Sequence, residues 1–441
     1  MDLDLVVSIV GEVLAEALRG RSGKGAIAEV LRRAPRGYLR EKALAVKLAV
    51  ETMRRLGVLE KAVQQLDAEL RVERLPRPVY GALLALTFRV LFEKADRMEV
   101  ARWAWAMRRV FGFPKVHPVE YVLAQLGVVE VQCPEDDEGL VAWRLGYPRW
   151  VVRLLFREFG RHFALKLLEA GNWEPITYLR VNTLRTTVEE AADALDAEGF
   201  QIKELRYPPY VLLLRRSKEG KPVLLSKAYR QGWVVSQDLG SCLVVEAAHP
   251  TPDERVLDLC AAPGMKTTLL AQHMKNRGVI ISVDRSFRRM VLWREMVWRL
   301  GVEIAEPLVA DAVQPLPLTQ QFDLVLVDPP CTSMGAFWRD PMMKWRLRPR
   351  LLRTYFRLQL AMLKQAACYV GEGGRIVYAV CTYPFEEAEK VVEEFLATHP
   401  GFRLEHPEIP GSSGCREMRE AVRLYTHQHR CNGYFIAVLR R

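Results

Sequence analysis

Several things are missing from this 441-residue chain, and each absence closes off a class of protein. No run approaches the roughly 18 apolar residues of a membrane-crossing helix. The start, Met1-Asp-Leu-Asp4, lacks the basic residues of a signal peptide. None of the eight cysteines stands in a C-x-x-C pair, so reduced intracellular thiols are expected rather than a disulfide framework. Cys415, His427, His429 and Cys431 lie close in sequence but without paired ligand spacing, and no metal is expected. The glycine patterns of a dinucleotide loop, G-x-G-x-x-G, and of a phosphate loop, G-x-x-x-x-G-K-[ST], are both missing. Lys266-Thr267 mimics the end of the latter without its leading glycine. There is no internal repeat and no low-complexity tract. Asparagine is scarce beside arginine, a hint about working temperature and not about function.

What is present reads as globular protein: 50% hydrophobic residues and 27% charged. The length predicts about three domains. A net charge of +11 and a pI near 9.3 favour a polyanionic partner, nucleic acid before membrane. A merely basic soluble protein is the bland alternative.

The first part of the chain, to about Leu126, is helical in pattern. Val46, Val50 and Met53 share a face, and Gly57 stands where a C-terminal cap is expected. Pro76 and Pro78 precede a stripe of Tyr80, Leu83, Leu84, Thr87 and Leu91. Asp96 and Glu99 open a helix carrying Val100, Trp103, Met107 and Val110, which Gly112 and Pro114 end. Trp103 and Trp105 are expected in the core rather than as base-stacking platforms. Cys133 to Gly139, acidic and turn-rich, marks a junction. A strand at Ile176–Asn182, a helix capped by Thr187 and Glu190 and closed by Gly199, and a strand at Tyr210–Leu214 then make a small module. Arginines at its edges suit a phosphate backbone or a plain basic surface.

From Gln237 onward strands and helices alternate, which predicts a mostly parallel sheet covered on both faces. Val256-Leu-Asp-Leu-Cys-Ala-Ala-Pro-Gly-Met-Lys266 reads as strand, tight turn and helix N-terminus, with a ligand site at the strand's carboxyl end. Asp258, Asp284, Asp311 and Asp328 stand in or just after successive strands. One such acid alone is as often a helix cap. Several along one sheet edge favour a nucleoside-bearing cofactor, with Asp284 on ribose hydroxyls and Asp311 on an adenine amino group. Cys331, in Asp328-Pro-Pro-Cys331, and Cys381, in Val380-Cys-Thr382, each follow a strand on that same edge. Singly, an intracellular cysteine is most often a small buried hydrophobe. Two at one sheet edge suit attack on a pyrimidine ring, where a thiolate adds to carbon 6 and makes carbon 5 nucleophilic.

These motifs resemble the Nop/Sun family of RNA cytosine-C5 methyltransferases. The resemblance rests on Asp258–Lys266, Asp328-Pro-Pro-Cys-Thr-Ser-Met-Gly335 and Tyr378-Ala-Val-Cys-Thr-Tyr-Pro384. Arg180-Val-Asn182, Gln237-Asp238, Asp340-Pro341 with Lys344-Trp345, and Asn432-Gly-Tyr-Phe435 support it. It covers about residue 146 to the end, and the helical leader looks like a NusB-like domain by pattern and position. The resemblance implies a class I, Rossmann-like methyltransferase sheet at 236–441, an α+β RNA-binding module at 140–235 and an all-α NusB-like domain at 1–135. It implies S-adenosyl-L-methionine as donor, held by Cys260, Ala261, Ala262, Pro263, Gly264, Met265, Lys266, Asp284, Arg289, Asp311 and Asp328. It makes Cys381 the nucleophile and Cys331 the cysteine that assists product release, with Asp328 reaching the base. Lys266 matches the family lysine near the reacting groups, with a phosphate or sheet-edge contact as its other reading.

Three residues depart from the family pattern: Met265 for a second glycine, Val380 for a threonine, Asn432 for an acid. None removes a group the chemistry needs. The expectation is a cytoplasmic, monomeric, rRNA-modifying enzyme making 5-methylcytosine, with Arg180, Asn182 and Arg185 on the RNA. The alternatives are the same reaction on tRNA, a DNA cytosine methyltransferase, which would not need Cys381, or a non-catalytic RNA-binding assembly factor.

Overall fold

Capping side chains written into the sequence start the first helices. Asp2, Ser22, Asp96 and Asp136 each accept a backbone N–H from the first turn that follows, at 2.8–3.1 Å. The structure, a computed structural model, describes residues 1–126, 128–217 and 221–441. It divides the chain into two compact units, Met1–Trp173 with Phe337–Leu347, and Glu174–Ala336 with Arg348–Arg441.

The first unit holds α1 (Leu3–Leu18), α2 (Gly23–Arg33), α3 (Leu39–Arg54), α4 (Leu56–Leu66), α5 (Arg77–Glu93), α6 (Arg97–Phe111), α7 (Phe113–Val116), α8 (Glu120–Gln125), α9 (Asp137–Leu145), α10 (Arg149–Phe159) and α11 (Arg161–Ala170). Its main core joins α1, α3, α4, α5 and α6 through Val6, Val10, Leu48, Leu59, Leu83 and Trp103. Trp103 is buried as expected and donates its indole N–H to the Ala82 carbonyl at 3.2 Å. Trp105 corrects the expectation: it is 58% exposed, two residues round the helix from the apolar stripe, with Arg108 over its ring. Gly57 is no helix cap either. It lies inside α4, where a Cβ would stand 2.5 Å from the Trp345 ring.

Trp345 belongs to a segment that the sequence places far away. Residues 337–347, with α17 (Met343–Arg346), are inserted among the leader's helices. Trp345 donates to the Met53 carbonyl at 2.7 Å, and Asp340 accepts from the Gly23 N–H. Lys344 is fully buried against the Tyr147 ring and donates to Asn172. Burial, with Arg54 and Arg55 nearby, holds its ammonium well below the usual lysine range.

The second unit begins with a four-stranded antiparallel sheet. It comprises β1 (Thr177–Val181), α12 (Val188–Ala197), β2 (Phe200–Glu204), β3 (Val211–Ser217), α13 (Lys227–Arg230) and β4 (Val234–Ser236), in strand order β2-β3-β1-β4. Thr187 and Glu190 close the expected capping box on α12. After α14 (Leu239–Ala248), the large sheet is built from β5 (Arg255–Asp258), α15 (Met265–His273), β6 (Val279–Asp284), α16 (Phe287–Leu300), β7 (Ala305–Val309), β8 (Phe322–Val327), α18 (Arg350–Tyr369), β9 (Val370–Val380), α19 (Glu389–Thr398), β10 (Arg403–Glu405), β11 (Ser412–Ser413), β12 (Val422–Leu424), α20 (Thr426–His429) and β13 (Tyr434–Arg440).

Its order is β11-β12-β13-β9-β8-β5-β6-β7, with β10 also on β13. The pairings β7–β6, β6–β5, β5–β8 and β8–β9 are parallel, while β13 runs antiparallel to β9. Alternate strand residues feed two cores. Val256, Ile280, Leu324 and Val377 face one, and Leu257, Val283, Val325 and Ile376 the other. The chain winds outward one way from β5 and the other way from β8. A crevice therefore opens at the carboxyl ends of these two strands.

Candidate active site

The crevice is floored by the turn from β5 into α15. Its backbone is stitched to both neighbours, Leu259 N–H to the Leu326 carbonyl at 3.0 Å and Ala261 N–H to the Val283 carbonyl at 2.9 Å. Gly264 ends the turn at φ 102°, and a Cβ there would lie 3.1 Å from Trp293. Only glycine meets both demands. Asp258, buried at the end of β5, accepts the Thr267 hydroxyl at 2.7 Å, and Thr267 in turn accepts the Trp293 indole N–H at 3.2 Å. Burial pushes the Asp258 carboxyl up to about 6 against that hydrogen bond, with the Asp328 charge adding to the rise.

Beside the turn, a pocket is lined by Cys260, Asp284, Arg289, Asp311, Ala312 and Pro330. Asp284 is buried and accepts the Ser286 N–H at 2.9 Å. Arg289 pairs with Asp284 at 3.0 Å and donates to the Ala262 carbonyl, so it ties the turn to the end of β6. Asp311 is exposed at the end of the next strand and accepts from Val313 N–H. Successive carboxylates between apolar Leu259, Ala312 and Met362 suit a ligand with hydroxyl and amino donors around a flat ring. The cradle at Gly264 lets backbone come close to it.

On the other side of β5 two thiols converge. Cys331 follows β8 and Cys381 follows β9, and these strands are neighbours with Val327 opposite Tyr378. Their sulfurs are 3.5 Å apart, and Ser333 Oγ is 3.5 Å from each. The hydrogen bond from Cys331 holds the Cys381 thiol below its usual range, while burial works against it. The same bond, with burial, pushes Cys331 well up. Lys266 Nζ lies 2.6 Å from Asp328 Oδ2, over the Tyr434 ring. Burial alone lowers a lysine, but the Asp328 charge and hydrogen bond outweigh it and raise Lys266. The backbone laces the surrounding motifs together. Gly335 N–H donates to the Cys381 carbonyl at 3.1 Å and Gly433 N–H to the Gly335 carbonyl at 2.9 Å.

The residues expected at an RNA-facing edge divide. Arg180 and Asn182 correct the expectation, because both are buried, and the terminal guanidinium nitrogens of Arg180 and the side-chain amide of Asn182 donate inside the protein. Arg180 donates to the Met265 carbonyl and to Thr268 Oγ1, each at 2.9 Å. Asn182 donates to the Gly232 and Leu300 carbonyls at 2.9 and 2.8 Å. They tie the small sheet to the first turn of α15 and to the end of α16, and neither presents its head group to a phosphate. Arg185 alone of the three is exposed. Sequence reading missed Ser333, Thr332, Thr382 and Glu387, which surround the thiols. Glu387 sits in an acidic helix start, where one glutamate looks like the next.

Sheet order, ligand turn and strand-end acids together define a class I methyltransferase. A family model of the 16S rRNA methyltransferase RsmB/F matches residues 245–440, and one for the ferredoxin-like domain of RsmF/B-like methyltransferases matches 147–219. The probable ribosomal RNA small subunit methyltransferase B of Bacillus subtilis is 31% identical over 327 residues, 71% of each chain. The ribosomal RNA small subunit methyltransferase B of Klebsiella pneumoniae is 28% identical over 85% of this chain and 86% of its own. The tRNA (cytosine(72)-C(5))-methyltransferase of Pyrococcus horikoshii is 33% identical over 49% of this chain and 54% of its own. Among solved structures, PH0851 covers 99% of both chains with a TM-score of 0.88 and 26% identity. NSun6 from Pyrococcus horikoshii, solved with SFG, covers 66% of this chain and 98% of its own at a TM-score of 0.61 and 25% identity. The chain belongs to the RsmB/F family of RNA methyltransferases, and its cofactor is S-adenosylmethionine.

Proposed function

We propose that the protein methylates carbon 5 of a cytosine in small-subunit rRNA, with Cys381 as nucleophile. The observation that carries this reading is the meeting of Cys331 and Cys381 at 3.5 Å beside the β5–α15 turn. Cytosine C5 is a poor nucleophile until a thiolate adds at C6. Cys381, the thiol held below its usual range, makes that bond, and the C5–C6 electron pair moves to C5. Asp328, gripped by Lys266, holds the ring, and the lysine charge offsets the negative charge that builds on it. S-adenosylmethionine, held by 260–266, Asp284, Asp311 and Asp328 with Arg289 at the mouth, supplies an electrophilic methyl group. Once C5 is substituted, a base takes its proton, the freed electron pair restores the C5–C6 double bond, and Cys381 leaves with the C6–S pair as thiolate. Cys331, one hydrogen bond away, assists that release. The cytosine is unstacked to reach the crevice.

Replacement of Cys381 by Ala is expected to abolish methyl transfer to RNA; retained turnover would refute the assignment. Cys331→Ala is expected to accumulate a protein–RNA adduct on a denaturing gel, and a clean gel would count against its role in release.

Small-subunit rRNA is favoured because the B. subtilis and K. pneumoniae relatives, matched over 71% and 86% of their length, carry that name. The tRNA-named relative, matched over 54% of its own length, supports tRNA as the second reading. Bisulfite sequencing of host RNA with and without the protein decides between them. We place the enzyme in the cytoplasm as a monomer, with exposed Arg185 on the RNA. Among the described residues no helix is long and apolar enough to cross a membrane.

A further inference from the structure

Glu387 is completely buried, in the 3-10 turn Phe385–Glu387 that follows the Cys381 loop. Its carboxylate accepts the Thr332 backbone N–H at 2.8 Å, the Thr332 hydroxyl, and the Gln359 side-chain amide at 3.1 Å. Thr332 is the residue after Cys331. Its oxygen lies 2.7 Å from the hydroxyl of Thr382, the residue after Cys381. The polarity is consistent along the row: Thr382 O–H donates to Thr332, whose own O–H donates to Glu387. The far side of Glu387 is fixed too, since its carbonyl accepts the Tyr378 hydroxyl at 2.6 Å. Gln359 adds a bond to the Pro330 carbonyl at 3.0 Å, so the Pro-Pro-Cys loop is held from both ends.

A carboxylate taken out of water with no cation beside it is costly. Among the described residues none pairs with Glu387, whereas nearby Glu389 has the fully buried Arg423 as a bidentate partner. Packing alone would be served as well by an apolar side chain. What only an acceptor can do here is hold the Cys331 loop, through the N–H and hydroxyl of Thr332, against the segment after Cys381 that carries Glu387 itself. Each cysteine lies beyond the end of its strand, where the sheet no longer sets its position.

We propose that Glu387 is a positioning residue that clasps the two cysteine loops through Thr332 and Thr382, and so sets the distance between the reacting sulfurs. This rests on the reading that both thiols react, but its test needs no RNA and no methyl transfer. Diamide oxidises two adjacent thiols to a disulfide and takes up their two hydrogens. The rate at which Cys331 and Cys381 close, followed by the mass of the linked peptides, reports how often the sulfurs meet. Glu387→Gln and Thr332→Val are each expected to slow closure at least fivefold, with S-adenosylmethionine affinity within twofold of wild type. The double variant is expected to be no slower than the slower single, because both remove one device.

Closure at the wild-type rate in both single variants, or slowing that multiplies in the double, would overturn the proposal. If Glu387→Gln does not fold, Thr332→Val and Thr382→Val carry the test, since each removes a single hydroxyl. Both are expected to slow closure by similar factors, and wild-type rates in both overturn the clasp. A Cys381→Ala enzyme that still methylates would remove the nucleophile reading and leave the closure measurements standing.

Discussion

Glu387 and Asp258 show the price of placing acids in a dry interior. Burial lifts the Glu387 carboxyl to about 7 from an ordinary 4.5, outweighing its bonds from Thr332 and Gln359. Between those two values the folded protein keeps a proton that the unfolded chain has released. Stability from this group is therefore complete below pH 4.5 and is lost as pH rises through 7. Relative to wild type, Glu387→Gln is expected to gain on the order of 2 kcal/mol between pH 5 and pH 8. Urea unfolding at the two pH values checks this, and a constant difference would mean the carboxyl titrates normally. At this scale the sequence was readable where chemistry names the residue. Two thiols and a row of strand-end acids announce themselves, and the structure brings Cys331, Cys381, Asp328 and Lys266 together. Arg180 was misread because β1 is buried on both faces, so no alternation marks its arginine as an inside residue.

Among the elements, the turn from β5 to α15 has the least room for change. Gly264→Ala adds a Cβ at a positive φ and close to Trp293, at a cost of about 1–2 kcal/mol. Because the same residue is the N-cap of α15, the variant is expected to bind S-adenosylmethionine at least tenfold more weakly by calorimetry, with a lowered melting temperature. Unchanged binding would show that the turn does not meet the cofactor. Met265, the departure from the family's second glycine, is the first residue of α15, and its carbonyl is held by Arg180. The central strands were legible because each is an apolar run ending in an acid or a thiol. β10, β11 and β12 were not, since each is 3 residues or fewer and shows no period. The insertion of 337–347 among the leader's helices was equally hidden, for α17 is only 4 residues long. Nothing local says which helices its tryptophan meets.

For the whole molecule, the net charge of +11 governs encounter more than fold. RNA affinity is expected to fall roughly tenfold or more between 50 and 200 mM salt, as counterions displaced from phosphates return. Fluorescence anisotropy with a labelled rRNA fragment measures it, and a flat response would argue against phosphate contacts as the main source of affinity. The three segments expected from sequence, cut near 135 and 235, differ from the two units of the structure. The first unit runs on to Trp173 because α9–α11 pack with the leader's side of the chain, as when Arg54 donates to the Trp173 carbonyl.

That first unit also claims Phe337–Leu347, whose flanks on both sides belong to the second. A gene fragment beginning at codon 174 would thus carry Trp338, Lys344 and Trp345 stripped of the helices that shelter them, and would be expected to precipitate unless residues 1–173 were supplied alongside. Because Met342 and Trp345 help to fill the first unit's own core, a foreign leader would have to be grafted together with its own version of Phe337–Leu347.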